Sequence, residues 1–182
     1  MTTSLLLLRH PPVAVGAGTC FGRSDVPLAD DVAAAADRLR ALLPSQVRIV
    51  SSPLARCRLL AEALGPCRLD DRLMEMDFGD WEMRSFDAIG RDAIDLWAAD
   101  PMHFRPPGGE SVIDMARRVI AALQDALAGD SSPLLLVSHG GPIRAILGHL
   151  LQLPAELWQQ QPVPHAALLR LEEQGGLWRR AA

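Results

Sequence analysis

The sequence predicts an α/β fold in three layers, a mostly parallel central sheet between two layers of helices. Three observations carry that expectation. Leu5-Leu6-Leu7-Leu8 and Leu134-Leu135-Leu136-Val137 are unbroken apolar runs of strand length, the pattern of strands buried on both faces. Strand-like and helix-like segments alternate along the chain, as in a parallel sheet joined by crossover helices. Each apolar run also ends in polar residues and a turn, Arg9-His10-Pro11-Pro12 and Ser138-His139-Gly140-Gly141. Residues so placed lie at the carboxyl edge of a parallel sheet, where open α/β folds bind their ligands.

Taken in order, residues 4–9 form the first predicted strand, and the Gly- and Pro-rich segment 11–28 is a loop long enough to point to function. Asp30 to Leu43 reads as a helix, with Asp at its start and Pro44 after its end. A strand over 47–50 leads into Ser51-Ser52-Pro53, which predicts a serine N-cap, proline as the first residue of a helix over 53–64, and Arg56 in the first turn. Residues 67–72 read as a strand, and the segment Met74-Glu75-Met76-Asp77-Phe78-Gly79-Asp80-Trp81-Glu82 as an irregular loop. A helical pattern spans 85–98, Pro101 to Gly109 is a turn-rich break, and Glu110 to Ala128 is helical. A strand over 133–138, a helix from Pro142 to Leu151 and a last strand over 166–171 follow, with 172–176 as a turn before a short polar end. No repeat or linker divides the chain, so its 182 residues are expected to form one domain, 1–182.

With hydrophobic residues at 49% and charged residues at 22%, the chain has the balance of a globular rather than a disordered protein. A net charge of −4 argues against a nucleic-acid partner, which calls for a basic face. All 18 cationic residues are Arg, so neither a P-loop lysine nor a lysine Schiff base is available. Tyr is absent, which removes a tyrosine nucleophile. Cys20, Cys57 and Cys67 are odd in number and lack C-x-x-C spacing, as expected of a reduced, cytoplasmic setting. The leading leucine run is too short for a signal peptide, and no other run approaches a membrane span. The expectation is a soluble chain with no membrane partner; its oligomeric state stays open.

Two histidines, Arg9 and Arg56 gathered at one sheet edge suit an anionic substrate such as a phosphate ester. An imidazole with an unperturbed pKa of about 6.5 can attack phosphorus without a separate base, and His10 is the candidate nucleophile. Arg9 and Arg56 would stabilise the charge spread over the phosphoryl oxygens. His139 would donate to the same oxygens, helped by backbone N–H groups such as that of Gly140 near the start of the following helix. The leaving alkoxide needs a proton, for which Glu75, among Met74, Met76 and Phe78, is the first choice and Asp77 and Glu82 are rivals. Singly, each residue has a plainer reading. A strand-end histidine is more often structural, Arg56 could sit in a surface ion pair, and Glu75 could be a solvated loop acid. His103, His149 and His165 read as structural or peripheral, and the Met and Trp residues of 74–102 as core. Only their co-occurrence favours chemistry.

Together these motifs resemble the histidine phosphatase superfamily, whose fold is phosphoglycerate mutase-like. Leu8-Arg9-His10-Pro11 is similar to its Arg-His-Gly signature, and Ser51-Ser52-Pro53-Leu54-Ala55-Arg56 to its Ser-Ser-x-Leu-x-Arg element. The loop Glu75 to Glu82, the Pro107-Gly108-Gly109-Glu110-Ser111 element and Val137-Ser138-His139-Gly140-Gly141 with Arg144 follow in the family's order. The resemblance implies His10 as phosphorylated nucleophile, Arg9, Arg56 and His139 as phosphate pocket, and Glu75 as proton donor. It also implies a phosphohistidine intermediate resolved by water, with no metal and no cofactor, and a small phosphorylated metabolite as substrate. Within the superfamily, Phe78 to Arg84 and Gly22 to Leu28 are most similar to α-ribazole phosphatases of cobalamin assembly, beside broader small-metabolite phosphatases.

The chain departs from the pattern in places. Pro11 replaces the Gly after the nucleophile and has no N–H to offer. The Thr and Asn that often follow are missing, and Arg23 is the candidate to compensate as a substrate ligand. Cys57 and Leu60 replace a small residue and a Thr, a change expected to alter only packing. The alternatives are a phosphoglycerate mutase-type phosphotransferase, a protein-phosphohistidine phosphatase, a non-catalytic phospholigand-binding protein and a metallohydrolase. The last lacks H-E-x-x-H or closely spaced His/Asp sets.

Overall fold

The computed structural model describes residues 3–128 and 130–181. Its centre is a sheet of six strands: β1 (Thr3–Arg9), β2 (Arg48–Ser51), β3 (Cys67–Leu69), β4 (Leu134–Ser138), β5 (Leu168–Gln174) and β6 (Leu177–Arg180). Their order across the sheet is β3-β2-β4-β1-β5-β6. The first four are mutually parallel, and β5 and β6 add an antiparallel edge.

The leucine run of β1 shows why the sheet is covered on both sides. Leu5 and Leu7 face one apolar cluster with Leu134 and Leu136 of β4, while Leu6 and Leu8 face the other with Leu135 and Val137. All four β1 leucines are 1% exposed or less. Helices α1 (Val32–Arg40) and α2 (Ala55–Leu64) cover the second cluster, through Ala35, Ala36 and Leu39 and through Cys57, Leu60 and Ala61. Helices α5 (Val112–Leu127) and α6 (Gly140–Leu150) cover the first. This is the three-layer arrangement expected from the sequence.

Element boundaries differ where a local interaction overrides the pattern. Helix α1 starts one residue after Asp31, whose side chain accepts the Ala33 N–H. Helix α5 starts at Val112 rather than Glu110, because Ser111 and Asp114 form a reciprocal capping box. The predicted strand over 67–72 stops at Leu69, and Asp70 caps a short 3-10 turn over Asp71–Leu73. The helical pattern of 85–98 divides into α3 (Phe86–Ile89) and α4 (Arg91–Ala99) at Gly90, whose φ of +95° cannot continue a helix.

The largest difference lies at the end of the chain. The residues read as a turn, 172–176, instead extend β5 to Gln174 and turn into β6 through Gly175 and Gly176. Both glycines have positive φ, +63° and +81°, as a tight hairpin turn between twisted strands requires. The charged residues of this hairpin face solvent, so its strands carry no continuous apolar run.

Gly148 in α6 tests the packing directly. A Cβ there would lie 2.3–2.4 Å from the Trp158 ring, which is fixed by its N–H donating to the Leu153 carbonyl. Gly→Ala within a helix ordinarily stabilises by about 1 kcal/mol. Here Gly148→Ala is expected to destabilise by about 1–3 kcal/mol through overpacking. A lower urea midpoint with unchanged slope is the expected result; a higher midpoint would contradict this packing.

Candidate active site

Three adjacent parallel strands end together. Arg9 at the end of β1 pairs with Ser138 at the end of β4, and Ser51 of β2 pairs with Val137. The next residues, His10, His139 and Ser52, therefore emerge at one edge, and the two imidazole centroids lie 5.2 Å apart.

His10 is 2% exposed, and its Nδ1 lies 2.7 Å from the Pro11 carbonyl oxygen. A carbonyl can only accept, so Nδ1 carries the hydrogen and the lone pair is on Nε2. Pro11 lacks an N–H, but its carbonyl is what orients the ring. Burial pushes the His10 pKa down to about 3; the Pro11 hydrogen bond opposes this, and the charges of Arg56 and Arg9 add to it. At neutral pH the ring is uncharged.

His139 is fully buried. Arg56 Nε donates to its Nδ1 at 3.2 Å, so Nε2 carries the hydrogen and donates to Ser52 Oγ at 2.8 Å. Burial, followed by the nearby Arg56, His10 and Arg9, holds this imidazole well below its ordinary pKa. The Cys57 sulfur lies 3.5 Å from Nε2 and donates to the Ser138 carbonyl, so this departure from the family pattern touches the site itself.

Arg56 is 1% exposed. It donates to the carbonyls of Ser24, at 2.8 Å, and Gly22, and its guanidinium lies 5.6 Å from the Phe21 ring centroid. Helix α2 begins at Ala55 rather than Pro53, and Asp25 Oδ1 accepts the Ala55 N–H at 2.9 Å. Ser52 Oγ, which accepts from His139, also accepts the Leu54 N–H at 3.4 Å, and the first residue of α2 is held from the 11–28 loop by Asp25. Arg9 Nη1 donates to the Val163 carbonyl at 2.7 Å, and its buried Nε has no partner. Among the described residues no carboxylate pairs with Arg9, Arg56 or Arg144. Buried guanidiniums without a counter-charge are costly unless an anion joins them.

Glu75 approaches the same edge from the loop after β3. Its carboxylate accepts the N–H of Met76 at 3.0 Å and of Gly141, in the first turn of α6, at 3.2 Å. A Cβ on Gly141 would lie 2.4 Å from Glu75 Oε1, so only glycine admits the carboxylate here. Arg118 of α5 holds the loop from behind, donating to the carbonyls of Arg72, Met74 and Glu75 at 2.8, 2.7 and 2.9 Å. Glu110 fixes Arg118 in turn through its Nε, at 3.0 Å.

The model of the histidine phosphatase superfamily (branch 1) matches residues 5–181. The chain belongs to that superfamily. It is 35% identical over 175 residues to a glucosyl-3-phosphoglycerate phosphatase of Mycolicibacterium vanbaalenii, covering 85% of this chain and 76% of that protein. It is 32% identical over 171 residues to a probable phosphoglycerate mutase of an Enterobacter species, covering 86% and 78%. Among solved structures, a putative α-ribazole-5'-P phosphatase from Escherichia coli superposes with a TM-score of 0.86 at 26% identity, covering 98% of this chain and 94% of that one. With such relatives, this chain is a histidine phosphatase, a phosphoric monoester hydrolase.

The superfamily's expected residues His10, His139, Arg9, Arg56, Glu75 and Gly140 thus converge. Helix α6 begins at Gly140 rather than Pro142, so His139 itself is the N-cap and the Gly140 and Gly141 N–H groups open the helix. Arg23 is placed differently, with its side chain 3.5 Å from both Asp77 and Glu110 and partly in solvent. The rival acids have other duties. Asp77 accepts the Gly79 N–H. Glu82 accepts the N–H groups of Gly22, Arg23, Ser24 and Phe78 and the Ser24 hydroxyl. Burial alone would raise the Glu82 pKa, but the Ser24 hydroxyl and these N–H groups outweigh it and hold it below the ordinary value.

Two residues escaped the sequence reading. His165, read as peripheral, has its ring centroid 5.1 Å from that of His10 and its Nδ1 3.2 Å from the His10 carbonyl. It precedes β5, which runs antiparallel to β1, so the start of β5 rather than its end lies at the active edge. Arg118 gave only the signal of an arginine two helical turns beyond Glu110. Among the described residues, no three His, Cys, Asp or Glu side chains converge as a metal site.

Two outcomes are expected. Glu82→Gln should lower stability at pH 7 by about 1–3 kcal/mol and raise the KM for any phosphate ester, since the loop it clamps supplies the carbonyls that hold Arg56. Equal urea midpoints and equal KM would remove that role. His10 and His139 bind protons more weakly folded than unfolded, so their contribution is complete above the unfolded value of about 6.5 and lost as pH falls, for His10 toward about 3. Unfolding free energy should therefore drop between pH 7 and 5, and His139→Asn should flatten the slope. A slope already flat in the parent would contradict neutral buried imidazoles.

Proposed function

We propose that this enzyme hydrolyses phosphomonoesters without metal, through a phosphohistidine intermediate, and that residues 1–182 form one histidine phosphatase domain. The observation that carries this reading is the oriented, uncharged His10, with its lone pair on Nε2, beside guanidiniums that pair with no carboxylate among the described residues. The substrate's phosphoryl oxygens take the place of that missing counter-charge on Arg9 and Arg56. The His139 Nε2–H turns from Ser52 to the same oxygens, and the Gly140 N–H at the start of α6 adds a donor.

The Nε2–P bond forms as the ester P–O bond breaks, and Glu75 gives its proton to the departing oxygen. Glu75 then takes a proton from water as the water oxygen attacks phosphorus. The Nε2–P bond breaks, inorganic phosphate leaves, and both residues return to their starting states. Arg23 would serve as a substrate ligand only by leaving Asp77 and Glu110. The substrate is a small phosphorylated metabolite. The structural likeness to a putative α-ribazole-5'-P phosphatase supports α-ribazole phosphate, and with it cobalamin assembly, as one candidate. The mycobacterial relative makes a glucosylated phosphoglycerate a second. Two of the three cysteines are buried free thiols, which suits a cytoplasmic setting. Likeness to a probable mutase supports phosphoryl return to the product as a second reading.

The test is phosphate release from an aryl phosphate with chelator present. Turnover should persist, an acid-labile phosphoryl adduct should appear on quenching, and His10→Ala should abolish both. Product isomerisation without phosphate release would establish the mutase reading instead. Glu75→Gln should lower kcat by about 10²–10⁴-fold on alkyl phosphates and far less on 4-nitrophenyl phosphate, whose leaving group needs no proton. Equal losses on both would remove Glu75 as the proton donor.

A further inference from the structure

The chain holds four Phe, four Trp and no Tyr. Five of those eight aromatic residues, Phe21, Phe78, Trp81, Phe86 and Trp97, line one cavity of about 340 Å³ together with Ile94. Phe104 packs behind Trp81, with ring centroids 5.5 Å apart. Of those five lining residues, only Phe78 also packs against a core cluster. No charged side chain lines that space.

The helices that close it are unusual in this fold. Neither α3 nor α4 contains a fully buried residue. Trp97 and Ile94, the apolar side of α4, are committed to the cavity and not to either core cluster. The sequence reading placed Trp97 in the core, and the structure corrects it. Its indole Nε1 is also buried and, among the described residues, has no hydrogen-bond partner. Buried donors in native structures are nearly always satisfied, so an orphan beside a cavity marks a missing acceptor.

The cavity adjoins the candidate active site. Phe21, Phe78 and Trp97 also line a smaller chamber of about 190 Å³ whose other walls include Glu75, Gly141 and Arg144. Phe21 in addition lies beneath the Arg56 guanidinium. Passing outward from His10, a bound ester meets the guanidiniums, then Glu75 at the departing oxygen, then the aromatic walls.

We propose that this cavity is the leaving-group subsite, and that the enzyme prefers phosphomonoesters whose alcohol or phenol carries an apolar ring system. Sugars and hydroxy acids bring hydroxyls and carboxylates that these walls cannot pair, and such groups lose their hydration without return. A flat ring fills the space, and an acceptor atom on it finds the Trp97 N–H. The proposal rests on the phosphatase reading above and narrows its substrate.

The experiment compares kcat/KM for 2-naphthyl phosphate and phenyl phosphate, whose phenols are of similar acidity, with ethyl phosphate and 3-phosphoglycerate alongside. The naphthyl ester is expected to exceed the phenyl ester by about 10-fold or more, chiefly through KM. The 3-phosphoglycerate should be the poorest substrate. In Trp97→Ala, and separately in Ile94→Asp, the naphthyl-to-phenyl ratio should collapse toward one. Folding of each variant is checked by its urea midpoint, and neither side chain contributes to a core cluster. Equal use of naphthyl and phenyl esters, better use of 3-phosphoglycerate, or a uniform loss on all esters in both variants would overturn the proposal while leaving the phosphatase reading intact. Absence of phosphate release from every ester would instead remove the reading on which it rests.

Discussion

Arg56 is almost fully buried and, among the described residues, pairs with no carboxylate, and the surrounding architecture is organised around that charge. Its Nε fixes the tautomer of His139, and its two other nitrogens hold the carbonyls of Gly22 and Ser24. Those carbonyls belong to a loop whose N–H groups converge on Glu82, so a carboxylate is present but one peptide removed from the cation. The loop thereby stays in place without occupying the anion site. A direct Arg56–carboxylate pair would satisfy the charge and close the site to phosphate.

The same separation of support from chemistry recurs at Glu75. Arg118 holds the backbone of that loop through three carbonyls and leaves the Glu75 side chain to reach α6. Gly141 clears the space into which it reaches. Charged residues that serve structure, Glu82, Glu110 and Arg118, are thus saturated by partners. Arg9 and Arg56 instead keep unspent hydrogen-bonding capacity, and His10 keeps an unspent lone pair. An uncharged histidine with a free lone pair and a carboxyl group set beside the Arg9 and Arg56 guanidiniums are more than simple phosphate binding needs. The two neutral imidazoles lie within 5.2 Å of each other because burial and the surrounding guanidiniums both disfavour their protonation.

Around this polar edge the molecule spends its apolar residues in two different ways. The aliphatic side chains of the strands and of α1, α2, α5 and α6 fill two cores on either side of the sheet. Five of the eight aromatic residues gather where α3 and α4 lean over the loop after β1 and leave an unfilled space. Since tight packing is the rule for interiors, a lined but unfilled space that shares Phe21, Phe78 and Trp97 with the chamber beside Glu75 reads as a place for a ligand rather than a defect of folding.

The sequence by itself determined the central strands, the layer order and the meeting of the two strand-end histidines at one edge. Runs buried on both faces cannot be mistaken for one-sided strands, and residues just beyond the ends of parallel strands must share one edge. The motifs around His10, Arg56, Glu75 and His139 were legible for the same reason, each following a recognisable strand or turn. Tertiary structure decided what depends on pairing between distant segments. The β5–β6 hairpin was obscured because its outward residues are charged. His165 was missed because an antiparallel strand brings its first residues, not its last, to the active edge. Glu82 read as a possible acid and Trp97 as core until the Glu82 partners and the space beside Trp97 were known, and the approach of Arg23 to Asp77 and Glu110 left no sequence signal. A side chain's role in such places is set by which donors, acceptors and empty space the fold puts beside it, and those neighbours lie dozens of residues away.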